Sequence, residues 1–182
     1  ANLLSKAAVE GKLATRAYAS KHQGDFRKVV AGVNDTLDAV IGPLNVAAEY
    51  VAKISIGDIP AKITNSYIGD FNIIKNNLNT CSSAVNALVA DAVLLSQAAV
   101  DGKLATRADA SKHQGDFRKV VAGVNDTLDA VIGPLKVAAE YVAIMTIGDI
   151  PTKITDSYNA TFNIIPNNSN TSSRAVNALV AD

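Results

Sequence analysis

Apolar and polar positions in this chain alternate at helical spacing for most of its length. From Phe26 the apolar residues recur at Val30, Val33, Leu37, Val40, Leu44, Ala47, Val51 and Ile54, in unbroken steps of 4 and 3. That is the heptad pattern of a helix that packs along one narrow seam. It predicts a single helix of about 30 residues. A second seam carries Phe71, Ile74, Leu78, Cys81, Val85 and Leu88, and a third runs from Phe117 through Leu128, Leu135 and Val142. Gly42-Pro43 and Gly133-Pro134 fall inside the long helices. An internal proline removes one hydrogen bond and strains the preceding turn, at roughly 3 kcal/mol. The seam keeps its phase across both prolines, so a kink is expected at each and not a chain reversal.

Between the first two seams lies a linker of about 14 residues that opens with Gly57-Asp58-Ile59-Pro60. It is long enough to run back along the helix it leaves, so the flanking helices can lie parallel. Short loops join only antiparallel neighbours. Gly57 allows a backbone conformation that other residues resist, and Pro60 stiffens the path. Ile59 and Ile63 recur as Ile150 and Ile154, behind Gly148. A free loop has no reason to keep isoleucines at matched positions, so both pairs are expected to pack between the parallel helices.

The chain is one unit written twice. Residues 1–91 return as 92–182 with about 17 of 91 positions changed, and Asp91 returns as Asp182. Such regularity means a modular array. Each unit also holds a fainter repeat of half its length: Gly24-Asp25-Phe26 anticipates Gly69-Asp70-Phe71, and Gly11-Lys12-Leu13 sits where Gly57-Asp58-Ile59 sits in the next half. Four modules in series follow, at residues 1–40, 41–91, 92–131 and 132–182, the first and third being the more divergent. Asp25, Asp70 and Asp116 are placed to cap helix starts. Pro166, which replaces Lys75, requires the last helix to begin near Ile165.

The stretch from Ile41 to Asn79 resembles a HAMP domain, the signal-relay module of bacterial receptors and sensor kinases. The resemblance rests on Pro43-Leu44 near the start of the first helix, Gly57-Asp58-Ile59 opening the connector, Ile63 within it, Gly69-Asp70-Phe71 opening the second helix, and Asn79 beyond. It implies an all-α fold of serial parallel four-helix coiled-coil bundles, each formed by a homodimer, with long helices shared between modules. The bundle core would hold Phe26, Val30, Val33, Leu37, Leu44, Val51, Ile54, Phe71, Ile74, Leu78, Leu88, Phe117, Leu128, Leu135 and Val142. Gly57, Ile59, Ile63, Gly148, Ile150 and Ile154 would pack the connectors. The partners implied are a second copy of the chain and the adjacent domains of a longer receptor, on its cytoplasmic side. The membrane-spanning part would then lie outside this chain.

Composition agrees with narrow seams. Apolar residues make up 48% of the chain but aromatics only 5%, with no Trp, so a thick globular core is not indicated. The 17 basic residues balance the 17 acidic ones, which removes an electrostatic case for nucleic acid. One cysteine, Cys81, suits a reducing compartment and is expected to act as a small buried hydrophobe. No run of about 20 consecutive apolar residues is present.

Candidate chemistry is sparse. His22 and His113 lie in Lys-His-Gln-Gly-Asp before helix starts, without the Cys partners of a metal site, and read as solvated linker residues. Asp35 and Asp38, like Asp126 and Asp129, flank a seam leucine without a nucleophile and read as a solvated face. No phosphate loop or hydrolase signature occurs. Neither an enzyme nor a cofactor nor a small-molecule substrate is expected. A structural spacer or filament-forming coiled coil is the alternative to a relay. It explains the seams equally well, but not the recurring Gly-Asp-Ile-Pro. The phase of the long helix is testable: Leu37→Ala is expected to cost about 2–4 kcal/mol and Asp35→Ala less than about 0.5 kcal/mol in urea unfolding.

Overall fold

The structure, a computed structural model, describes residues 2–181. Asp182, the repeat partner of Asp91, lies outside them. Every regular element is helical: α1 Asn2–Val9, α2 Gly24–Ser55, α3 Asp70–Val100, α4 Gly115–Thr146 and α5 Ile164–Ala181, with short 3-10 turns at Ala19–Lys21, Ala110–Lys112 and Ala160–Asn163. The chain divides into two compact units, Ala1–Asn86 and Ala87–Asp182. The all-α class is as the seams predict. Helices α2 and α4 run through Pro43 and Pro134 without a break.

Three of the four helices that precede a connector end in the same way. In α2 the amide of Gly57 donates to Ile54 O at 3.0 Å and that of Asp58 to Lys53 O at 3.1 Å. Gly57 sits at φ +80°. This pair of bonds over a left-handed glycine is a Schellman cap, which satisfies carbonyls that would otherwise be orphaned. Gly11 and Gly102 carry the same pair, from Gly11 and Lys12 to Ala8 O and Ala7 O, and from Gly102 and Lys103 to Ala99 O and Ala98 O. At the fourth position Gly148, φ +79°, donates to Met145 O.

Helix starts differ from expectation. The residues before α2 and α4 are Gln23 and Gln114, neither of which caps through its side chain. Asp25 and Asp116 lie in the first turn and accept from Lys28 and Lys119 instead. Their carboxylates still oppose the positive helix end, but they do not cap it. Pro166 lies in the first turn of α5, which starts at Ile164, where its missing N–H costs no helical bond.

The connectors run back along the helices they follow, and contacts within each unit give the direction. In the second unit Arg107 meets Asp129, Ala108 meets Asn125, and His113 meets Asp91 on α3. Rising connector numbers thus meet falling α4 numbers, and the end of the connector lies nine residues before the end of α3. Helix α4 therefore starts level with Asp91 and runs in the same direction as the last turns of α3. In the first unit Tyr67 and Ile63 share one small apolar cluster with Pro43 and Val46 of α2 and Phe71, Ile74 and Leu78 of α3, which again sets the two helices parallel.

Helix α3 is also long and apolar enough to cross a membrane by length and composition, which the search for consecutive apolar residues missed. Only 6% of its most apolar window is buried. Two faces of one helix, one against the connector and one free, produce that average without a continuous apolar run.

Two glycine substitutions separate the cap from ordinary helix. Gly57→Ala should destabilise by about 1 kcal/mol, because alanine resists positive φ. Gly32→Ala, mid-helix with nothing within 4 Å of the added methyl, should stabilise by up to about 1 kcal/mol. Thermal unfolding of the two variants checks the opposite signs.

Candidate functional site

The residues that define the connectors are four asparagines. Asn79 of α3 donates from Nδ2 to Ile63 O at 3.1 Å, and its Oδ1 accepts from the Ile63 amide at 2.7 Å. One side-chain amide thus satisfies both backbone groups of one connector residue, as a neighbouring β-strand would. The same two-point clamp joins Asn34 to Ala17 at 2.8 and 3.0 Å, Asn125 to Ala108 at 2.8 and 3.1 Å, and Asn170 to Ile154 at 3.0 and 2.9 Å. In each case the clamped residue lies six positions after the cap glycine, and the asparagine eight after the helix-opening phenylalanine. Sequence reasoning singled out Asn79 alone. The fixed Phe-to-Asn interval was the signal that could have found the other three.

The clamped residues point inward. Ile63 is 8% exposed and Ala108 is buried, while Ile154 and Ala17 are half-buried. Ile59 and Ile150 are half-buried, and Gly57 and Gly148 lie at the exposed turn. In the first unit Tyr50 Oη donates to Ala61 O at 2.6 Å and gives the connector a second anchor. The modules that open with Gly11 and Gly102 use an arginine instead. Arg16 donates to Asp38 Oδ1 at 2.6 Å and to the carbonyls of Leu13 and Thr15, and Arg107 repeats all of this with Asp129, Leu104 and Thr106.

Asp38 and Asp129 are thus ion-paired to connectors and are not the merely solvated face expected; Asp35 and Asp126 are exposed. His113 also departs from expectation. It is 4% exposed, and its Nε2 lies 2.6 Å from Asp91 Oδ2, so it ties the end of its connector back to α3. His22 is exposed, as expected of a linker residue. Nearby, hydrogen bonds from the Ser111 hydroxyl and amide hold the Asp109 carboxyl below the usual carboxylate range and cap the 3-10 turn.

The seam residues divide into two groups. Val30, Leu37, Ile54, Phe71, Ile74, Leu78, Leu88 and Leu128 are half-buried against the chain itself. Phe26, Val33, Leu44, Val51, Phe117, Leu135 and Val142 are exposed. Cys81, expected to be buried, is exposed too. The exposed positions match between copies: Phe26, Val29, Val33, Val40, Leu44 and Val51 recur, all exposed, as Phe117, Val120, Val124, Val131, Leu135 and Val142. They keep heptad spacing. Sequence reasoning missed the connector-facing stripe beside them, in which Ile41 is buried and Val46 and Tyr50 half-buried. Among the described residues no group of His, Cys, Asp and Glu could hold a metal ion.

A family model described as HAMP domain matches residues 21–87 and again 112–178. Each match takes in a whole long helix, a connector and the first part of the helix after it. No curated protein and no solved structure matches the chain.

The clamp has a measurable cost of removal. Asn79→Ala leaves the part-buried Ile63 amide and carbonyl unpaired and should cost about 1–3 kcal/mol. Asn76→Ala, on an exposed neighbour, should stay within about 0.5 kcal/mol. Hydrogen exchange at the Ile63 amide should rise only in the first variant.

Proposed function

The chain belongs to the HAMP domain family, and on that premise we propose that it is a tandem relay of four modules, at residues 1–40, 41–91, 92–131 and 132–182. HAMP domains are signal-relay modules of receptors. The four cap glycines and four asparagine clamps support the count of modules. In this reading two chains pair in parallel, and each module contributes two helices per chain to a four-helix bundle.

The observation that carries the pairing is the exposed stripe. Six apolar positions of α2, each repeated on α4, face solvent at heptad spacing on a single chain. A stripe of that length has no role on a solvated surface, and a second copy in register presents the matching stripe. Small seam residues such as Ala47, Ala48, Ala138 and Ala139 leave no packing deeply locked. A small displacement of one helix then biases the bundle between two arrangements. Because α2 and α4 are continuous through Pro43 and Pro134, a displacement at one module reaches the next along a rigid element. The array sits, in this account, on the cytoplasmic side of a membrane-anchored chemotaxis receptor or sensor kinase, relays between its input and output domains, and carries no catalysis of its own.

Light scattering at micromolar concentration should return about twice the 18.9 kDa chain mass. The pair Leu44→Lys with Leu135→Lys should return the single-chain mass. A cooperative melt at single-chain mass for the unmodified protein would sink the pairing. Ile63→Asp separates relay from spacer: hydrogen exchange should show the connector and both its flanking helices loosened, while distant modules stay protected. Unchanged protection of the flanking helices would make the connector a passive tether and favour the spacer.

A further inference from the structure

The junctions between modules are of two chemical kinds. Each is marked in the sequence by a pair: the residue twenty after one helix-opening phenylalanine, and the residue four before the next. In the first unit these are Val46 and Tyr67, which line one small apolar cluster. The repeat puts Val137 and Tyr158, both half-buried, at the same positions in the second unit. Between the second and third modules the pair is instead Asp91 and His113.

Asp91 and His113 lie within one compact unit. Only 2% of the histidine side chain is exposed, and its Nε2 shares a hydrogen bond of 2.6 Å with Asp91 Oδ2. The backbone of the same residue is held from α4. Arg118 donates from Nε to His113 O at 3.0 Å and from Nη2 to Ser111 O at 3.4 Å. One residue therefore joins α3, the connector and α4. His22 provides an internal comparison. Residues 19–28 are identical to residues 110–119, yet His22 is exposed. What encloses His113 is α3, and not the connector's own sequence.

The two kinds of junction respond differently to displacement. Apolar contact is non-directional, so it weakens gradually as two surfaces slide. A short hydrogen bond is lost over about 1 Å and leaves its buried partners unpaired. A polar junction thus either holds one arrangement or releases it. We propose that the Asp91–His113 pair is a latch that couples the second module to the third, so that α3 and the start of α4 hold or release together. The apolar junctions within each unit give way gradually instead. This inference rests on the count of four modules given above, and needs neither a dimer nor a switching bundle.

Hydrogen exchange on the 182-residue chain tests the latch in two steps. Asp91→Val and His113→Phe, made singly, should each raise exchange of the connector amides before α4 about tenfold, because each leaves a buried group unpaired. The two together install an apolar pair of the kind found at the other junctions, and should return exchange to within about threefold of the unmodified chain. His22→Phe, at the exposed copy, should leave its connector unchanged. Coupling is then read with Asn79→Ala, which loosens the second module. In the unmodified chain it should also raise exchange in the third module's connector, by about threefold. In the His113→Phe background it should add nothing there, while its effect at Ile63 persists. An equal effect of Asn79→Ala with and without the pair would show a merely local contact and overturn the latch. So would single variants that exchange like the unmodified chain. The cycle reads the same whether the chain scatters light as one copy or two, so failure of pairing and failure of the latch are separate results.

Discussion

The two-point bond between an asparagine amide and the backbone of one connector residue is the interaction on which the rest of this structure depends. A connector of about 14 residues that runs back along a helix brings unpaired amides and carbonyls to an apolar surface. Backbone groups in that position must be satisfied. A strand would do so, but among the described residues there is no strand to pair with. Asn79, Asn34, Asn125 and Asn170 meet the need with one side chain each, because a carboxamide carries a donor and an acceptor at the spacing of a peptide group. Aspartate could not donate, and lysine could not accept.

Once the connector is held, the helix geometry follows. The connector returns the chain part of the way along the preceding helix, to the level of Asp91 in the second unit, so the next helix starts there and runs parallel. The connector then covers one side of each helix, the side marked by Ile41, Val46 and Tyr50. The neighbouring heptad stripe, with Val33, Val40, Leu44 and Val51, stays uncovered. A chain built this way keeps its modules local and its seam open. That combination suits the proposed relay: the clamps hold each module together, while in the proposed dimer the energetics of the seam lie between chains, where a modest shift can change them.

Much of this was legible in the sequence. The 3-and-4 spacing located the long helices, and the glycines marked their ends, because both signals are local and survive averaging over a turn. The seam leucines and valines were placed on the correct helices. What escaped was long-range and polar. His113 looks like any linker histidine until the connector brings it to Asp91, 22 residues away. Arg16 and Asp38 are likewise 22 apart, and nothing in the neighbourhood of either announces the other. Ile41 escaped for a different reason. It belongs to a second stripe one position away from the heptad, and one apolar pattern masked the other.

The central claim is that a second copy, parallel and in register, covers the open stripe. Pulsed dipolar spectroscopy between spin labels at Ser5, in a chain with Cys81→Ser, tests it most directly, since Ser5 is exposed near one end. A parallel bundle predicts one narrow distance of about 20–30 Å, two to three helix diameters. A distance far beyond that would mean antiparallel pairing, and the absence of dipolar coupling at micromolar concentration would mean no pairing. Either result would contradict the account.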